Sequence, residues 1–288
     1  MDLGLLAYVD GAFVPEREAR ISVFDRCFRL GDGLFETVRV ADGRLLHEAE
    51  HVARLGRSAV EMGFIPPPSQ TELQSAAEEL VARNRLTEAS LRIQLSRGVG
   101  PPDYSPAGAH KPTVVITMHP LPSLRETGCL RARLHTASLR LPAGHLLNGH
   151  KSASRLLNVL ARAEAEAAGA DEALLLDSQG HLAEAASANL FWIESDALHT
   201  PPLSTGALPG IARRIVLELG HRRGLTVRET LAGRDRLDTA LGVFLTVSTR
   251  GVIEVTALDG HPVPAHPVTA RLWEDYVALA LTPPSGPA

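Results

Sequence analysis

Lysine is almost missing from this 288-residue chain: of its 29 basic residues only Lys111 and Lys151 are lysines, and arginine fills every other basic position. Arginine keeps its charge inside a protein, whereas a lysine can be tuned to a neutral amine that condenses with a carbonyl. A lysine that survives such a bias invites a chemical explanation. Cysteine is equally scarce, and Cys27 and Cys129 lack the spacing of a zinc site or a disulfide framework. No metal or redox chemistry is expected. The longest uncharged apolar stretch, 239–249, falls well short of the ~20 residues that cross a bilayer, and the N-terminal stretch has no basic signal region. A net charge of −4 supplies no basic field for nucleic acid or an anionic membrane. The reading is a cytoplasmic protein whose partner is a small molecule. Neither GxGxxG nor GxxxxGK(S/T) occurs, so dinucleotide-fold and P-loop readings lack support.

With 44% hydrophobic and 22% charged residues, the composition is that of a globular protein, and the length predicts two domains. The pairs Asp10-Gly11 and Asp42-Gly43 each stand between apolar runs and predict β-hairpins. Apolar periodicity predicts helices over 47–62 and 71–85. Strand-like runs at 91–98 and 112–118 bracket a Gly- and Pro-rich loop long enough to serve as a lid or substrate contact. Residues 119–128 hold two prolines and no periodicity, which predicts an N-terminal α+β domain over 1–118, a linker over 119–128 and a second domain over 129–288. In the second domain, strands are expected at 129–135, 172–177, 189–193, near Thr226, and at 243–249 and 252–258. Helices are expected at 152–168, 211–223 and 268–281.

Several residues in this frame carry chemistry. Lys151 precedes Ser152, a candidate N-cap, and a helix with the stripe Leu156, Leu160, Ala163 and Ala167; the positive helix end would favour the neutral amine. Lys111, beside the flexible loop, reads as an ordinary surface residue. Glu184 lies among small residues in HLAEAASANLFW, where a carboxylate has room for a flat ring and can keep a pyridinium nitrogen protonated. Gly210 starts a helix, so the amides of Ile211 and Ala212 can face an anion. Ser248 and Thr249 end a strand with hydroxyls. For each of these the alternative is an ordinary surface or edge position, and helical geometry alone places Arg54 on the surface.

Taken in order, these strings resemble the class IV, or fold type IV, family of pyridoxal-phosphate enzymes: D-amino acid and branched-chain aminotransferases and aminodeoxychorismate lyase. The matching strings are DRCFRLGDGLFETVR (25–39), HVARL (51–55), HK with RLLNVLAR (150–162), ADEALLLDSQGHLAEAASANLFW (170–192), TPPLSTGALPGIARR (200–214) and VFLTVSTRGVIEV (243–255). The resemblance implies a small N-terminal α+β domain, a larger C-terminal domain with barrel-like strands and helices, and a homodimer. It implies that Lys151 carries pyridoxal 5'-phosphate covalently and then moves the proton at the carbon bearing the substrate amine. Glu184 would pair with the pyridine nitrogen, and Arg54, Gly210, Ile211, Ala212, Ser248 and Thr249 would hold the phosphate. The family more often has Thr where this chain has Ala212, which removes one hydroxyl.

Phe35-Glu36-Thr37-Val38-Arg39 differs from the FEGIR of branched-chain enzymes, and the Arg-x-His pair of D-amino acid enzymes is missing after Gly98. Lyases of 4-amino-4-deoxychorismate resemble this chain at GDGLFETVR, SRGVG, YSP and FLTVSTRGVIEV, and in them a Thr matching Thr37 assists the elimination. Arg97 and Tyr104 are then candidates for the substrate side, with Arg29 as a further guess. Pro102 departs from the lyases, which often have an Arg there. The expected reaction is release of 4-aminobenzoate and pyruvate; the alternative is amino transfer from a D- or L-amino acid to a 2-oxo acid.

Overall fold

The computed structural model describes residues 4–282. The chain folds as two compact units, one running up to Ser123 and taking in His150–Ser154, the other made of Leu124–Gly149 and the residues from Arg155 onward. The chain thus leaves the first unit between Ser123 and Leu124 and returns to it for five residues. The single boundary expected from the prolines gave no sign of that return, and it carries Lys151 out of the second domain and into the first unit. Among the described residues no helix is long and apolar enough to cross a membrane.

The first unit is built on β1 (Leu6–Val9), β2 (Ala12–Pro15), α1 (Arg26–Leu30), β3 (Gly33–Ala41), β4 (Arg44–Leu45), α2 (Glu48–Glu61), α3 (Gln70–Asn84), β5 (Ala89–Ser96) and β6 (Thr113–Pro120). Its six strands form one antiparallel sheet in the order β2-β1-β6-β5-β3-β4. Both hairpin signals turn as expected: Asp10 and Asp42 have φ of 46° and 49° and are followed by glycines at positive φ, the conformation that two-residue hairpin loops demand. Helices α2 and α3 cover one face of the sheet. There Val52, Leu55, Ala59, Leu73, Ala77 and Leu80 bury Val40, Leu91 and Ile93.

The second unit holds α4 (Leu124–Thr127), β7 (Leu130–Leu141), α5 (Leu156–Ala167), β8 (Glu172–Asp177), β9 (Leu182–Ala185), β10 (Asn189–Glu194), β11 (Ala197–Thr200), α6 (Ile211–Arg222), β12 (Thr226–Glu229), β13 (Gly242–Val247), β14 (Gly251–Leu258), β15 (His261–Pro262) and α7 (Pro267–Leu281). Its strands run β12-β11-β10-β13-β14-β7-β8-β9, and β9 pairs back onto β10 through Asn189 and Glu184. Six strands therefore close on themselves, which is the barrel that the family resemblance implied. Alternation sorts the side chains as a closed sheet requires. Leu190, Trp192, Leu174, Val243, Leu245 and Val255 pack together in one core. Phe191, Ile193 and Phe244 turn to Ile211, Ile215 and Leu272 of the outer helices.

Helix α5 differs from expectation in two ways. It begins at Leu156, with Arg155 as an N-cap that offers no side-chain bond, and not at Ser152. Its buried face is Ala161 and Ala165 against Ala173, Leu175 and Ala183, while Leu156 and Leu160 of the expected stripe are exposed.

Candidate active site

In the first unit, backbone pairing places Lys151. Strand β4 reaches only the last residues of β3, which leaves the earlier edge of β3 for residues 151–153. The Phe35 N–H donates to the Lys151 carbonyl at 2.9 Å, the Ala153 N–H donates to the Gly33 carbonyl at 2.8 Å, and Leu34 bridges Ser152 in antiparallel register. Held extended by β3, Ser152 cannot start a helical turn. The expected effect of a helix dipole on Lys151 is therefore replaced by a strand clamp. The Lys151 amine lies 4.6 Å from the centroid of the Phe35 ring, and the Arg92 guanidinium lies 3.8 Å from it. Thr37 stands opposite Arg92 in the β3–β5 register and is half-buried. One sheet face thus carries an amine, an aromatic plane, a hydroxyl and a fixed positive charge.

The other face of β3 carries Glu36. Its carboxylate accepts from Arg54 Nε and Nη2 at 2.7 Å each and meets His51 Nδ1 at 2.7 Å, with all three residues buried. Burial would raise the Glu36 pKa, but the hydrogen bonds from His51 and Arg54 and the charge of Arg54 outweigh it and hold the carboxyl at about 2. Burial pushes the His51 pKa down, and Glu36 opposes the shift. Arg54, expected on the surface by helical geometry and at the phosphate by resemblance, is inside the unit with its charge largely offset by Glu36.

Arg97 is likewise committed. It donates to Asp32 through Nε, to the carbonyls of Gly63 and Met62 through Nη1 and Nη2, and lies over Phe64. Tyr104 is 88% exposed on the loop that follows. That loop is tied down by its backbone: Arg26 donates to the carbonyls of Asp103, Tyr104 and Ser105, and Arg29 to that of Pro102. Lys111 is exposed, as its ordinary reading required.

The second unit gathers the remaining candidates. Glu184 is buried on β9, and its Oε2 accepts from the Leu208 N–H at 2.9 Å and faces Asn189 Nδ2 at 3.4 Å. Asn189 also donates to the Leu208 carbonyl at 2.9 Å, so one side chain ties the barrel seam to the loop entering α6. Gly210 caps α6 without a side-chain bond, and a Cβ there would stand 2.0 Å from Asn189 Oδ1. Ile211 and Ala212 open the helix, buried against Phe244. Ser248 and Thr249 form the half-buried turn between β13 and β14. Just before that turn, Thr246 Oγ1 is buried without a hydrogen-bond partner among the described residues.

These features fit a phosphorylated pyridine. The uncapped N-terminus of α6 and the hydroxyl turn suit an anion, and a buried, oriented carboxylate suits a ring nitrogen. Sequence reasoning passed over Glu36, His51, Arg92, Asn189 and His150. The available signals were a Glu inside the apolar run LFETV and the i, i+3 spacing of His51 and Arg54.

In the second unit the barrel seam presents a buried carboxylate beside the loop that enters α6, an arrangement able to hold a cofactor. The model of the amino-transferase class IV family matches residues 33–258, and the chain belongs to that family. Membership makes it a pyridoxal-phosphate-dependent enzyme. The chain is 34% identical over 256 residues to a putative branched-chain-amino-acid aminotransferase of Methanocaldococcus jannaschii, covering 89% of this chain and 88% of that protein. It is 31% identical over 245 residues to an aminodeoxychorismate lyase of Vibrio harveyi, covering 84% and 88%. The structure of the T.th. branched-chain amino acid aminotransferase with pyridoxamine 5'-phosphate superposes with a TM-score of 0.91 at 31% identity, covering 98% of this chain and 96% of that one.

Proposed function

We propose that this enzyme is a 4-amino-4-deoxychorismate lyase that releases 4-aminobenzoate and pyruvate, working as a cytoplasmic homodimer. The observation that carries the reading is Thr37. It places a hydroxyl on the sheet face shared by Phe35 and Lys151, at the position where the branched-chain string FEGIR has a glycine without a side chain.

Bound pyridoxal phosphate supplies an aldehyde for the substrate amine and a ring that accepts an electron pair. Lys151 would hold the cofactor through its aldehyde carbon and, as a free amine, would take the proton from C4 of the substrate. Glu184, oriented by Leu208 and Asn189, keeps the pyridine nitrogen protonated. Gly210, Ile211, Ala212, Ser248 and Thr249 are assigned to the phosphate; for Arg54 that role has only the resemblance behind it. As the proton leaves C4 for Lys151, the electron pair expels the enolpyruvyl oxygen from C3 with help from Thr37, and the ring becomes aromatic. The departing enolpyruvate takes up a proton to become pyruvate, and no amino acceptor is consumed. Tyr104, exposed on its loop, is proposed to contact the substrate. Arg97, tied to Asp32 and to the carbonyls of Gly63 and Met62, has only the resemblance behind it as a substrate-side residue. The apolar, exposed Leu156, Val159 and Leu160 of α5 favour the homodimer.

An aminotransferase is the second reading, and Arg92 favours it: a guanidinium stacked on the same ring as Lys151 suits the carboxylate of an amino acid. The test mixes cofactor-loaded enzyme with 4-amino-4-deoxychorismate, without any 2-oxo acid, and follows 4-aminobenzoate fluorescence and pyruvate together. Equal catalytic release of both is expected. A loaded enzyme that releases neither, but transfers amino groups from D- or L-amino acids to 2-oxo acids, overturns the lyase in favour of the aminotransferase.

A further inference from the structure

Helix α2 carries a row of polar residues, His51, Arg54, Ser58 and Glu61, at spacings that fall on one side of a helix. The first two hold Glu36. The next two hold His150: its Nδ1 lies 3.0 Å from Ser58 Oγ, and its Nε2 lies 3.5 Å from Glu61 Oε2. His150 is only 5% exposed, an unusual investment for a loop residue outside the assigned chemistry.

The register explains what that burial does. With Leu34 opposite Ser152, Phe35 stands opposite Lys151, and His150 lies at the bend just before these paired residues. Neighbouring residues of an extended strand point to opposite faces, and a slip of one residue exchanges the faces. His150, through Ser58, and Glu36, through Arg54, both meet α2, while Phe35 and Lys151 share the other face of β3. The backbone clamp uses two hydrogen bonds that would accept any sequence, so by themselves they do not select this register. The imidazole adds a side-chain contact that does depend on register, since it enters the α2 row at Ser58.

We propose, resting on the assignment of Lys151 above, that His150 is a positioning residue whose anchoring to Ser58 and Glu61 of α2 fixes the register of the returning strand and so aims Lys151 at the Phe35 face. The amine is then delivered by the same helix that holds Arg54 and Glu36.

The test compares wild type, His150→Ala, His150→Asn and Ser58→Ala. The Asn variant keeps a polar atom near the position of Nδ1. Each apoprotein is mixed with pyridoxal phosphate, and three quantities are followed: the rate of covalent attachment, trapped with borohydride and mapped by peptide mass; the visible circular dichroism of the attached cofactor; and the unfolding temperature. His150→Ala is expected to slow attachment at Lys151 by about tenfold or more, as misplacement of a reacting group does, and to weaken the visible dichroism. His150→Asn should recover most of both at a similar unfolding temperature. Ser58→Ala removes the nearer of the two anchors and leaves the sequence of the returning strand unchanged, and should shift both readouts in the same direction even if His150→Ala fails to fold. Wild-type attachment rates and dichroism in His150→Ala or in Ser58→Ala, with label on Lys151, overturn the positioning role alone. Label on another residue in the wild-type chain overturns the assignment of Lys151 and this role with it.

Discussion

Asn189 and Glu184 stand opposite each other at the seam where the six-stranded barrel closes, with Asn189 Nδ2 3.4 Å from Glu184 Oε2. The carboxylate assigned to the cofactor nitrogen is thus also part of the closure of the fold. Its orientation depends on a neighbour that binds the loop before α6 with the same amide.

Replacing Asn189 with Ala removes the amide that faces Glu184 and one of two donors to the Leu208 carbonyl, which keeps the Gly210 N–H. A loss of about 1 kcal/mol in urea unfolding is expected, the usual net worth of a hydrogen bond. Cofactor affinity should fall as well, read by fluorescence titration of the apoprotein. An Ala variant with wild-type stability and affinity would show that the amide is dispensable.

Gly210→Ala should disturb the same point from the other side, because the added carbon would meet Asn189 Oδ1 at 2.0 Å. The amide must turn away. The variant is expected to resemble Asn189→Ala in stability and cofactor affinity, and the double variant should cost less than the sum of the two. Full additivity in the unfolding measurements would count against a shared mechanism.

Glu184→Gln should keep the yellow colour of the loaded enzyme while slowing proton removal by about two orders of magnitude or more, since a neutral amide no longer stabilises a protonated ring nitrogen. The isotope effect on 4-aminobenzoate release from substrate deuterated at C4 reads that step. Lys151→Ala should abolish both the colour and borohydride trapping of the cofactor.

Acid stability reports on Glu36. Its folded pKa of about 2 lies below the ordinary glutamate value of 4.5, so the unfolded chain binds the proton more readily. The stabilisation is fully present above the ordinary value and is lost as pH falls from about 5 towards 2, amounting to about 3 kcal/mol. His51, held below its usual pKa by burial, adds a loss of the same sign that begins nearer pH 6.5. Urea midpoints measured across this range should show a steep lower limb in the wild type and a much shallower one in Glu36→Gln. Parallel limbs would remove Glu36 as the source.

Local chemistry made much of this molecule legible without coordinates. Asp10-Gly11 and Asp42-Gly43 announced their hairpins because few other pairs accept positive φ at both positions. The periodicity of 47–62 announced α2 because its apolar side has nowhere to go but a sheet. Scarcity singled out Lys151, since only lysine among the basic side chains can give up its proton to do chemistry. The start of α5 was misread because Ser152 is as good a cap as a strand residue, and its choice depends on the distant backbone of β3. Likewise, helical geometry alone put Arg54 on the surface, whereas Glu36, from the neighbouring strand, turns inward to meet it. Propensity, turn chemistry and residue type act over a few positions and are written in the chain itself. Which edge of β3 the returning strand covers, which face Lys151 then takes, and which charge Arg54 answers are decided by long-range pairing and burial, where a polar group takes the partner that packing brings to it.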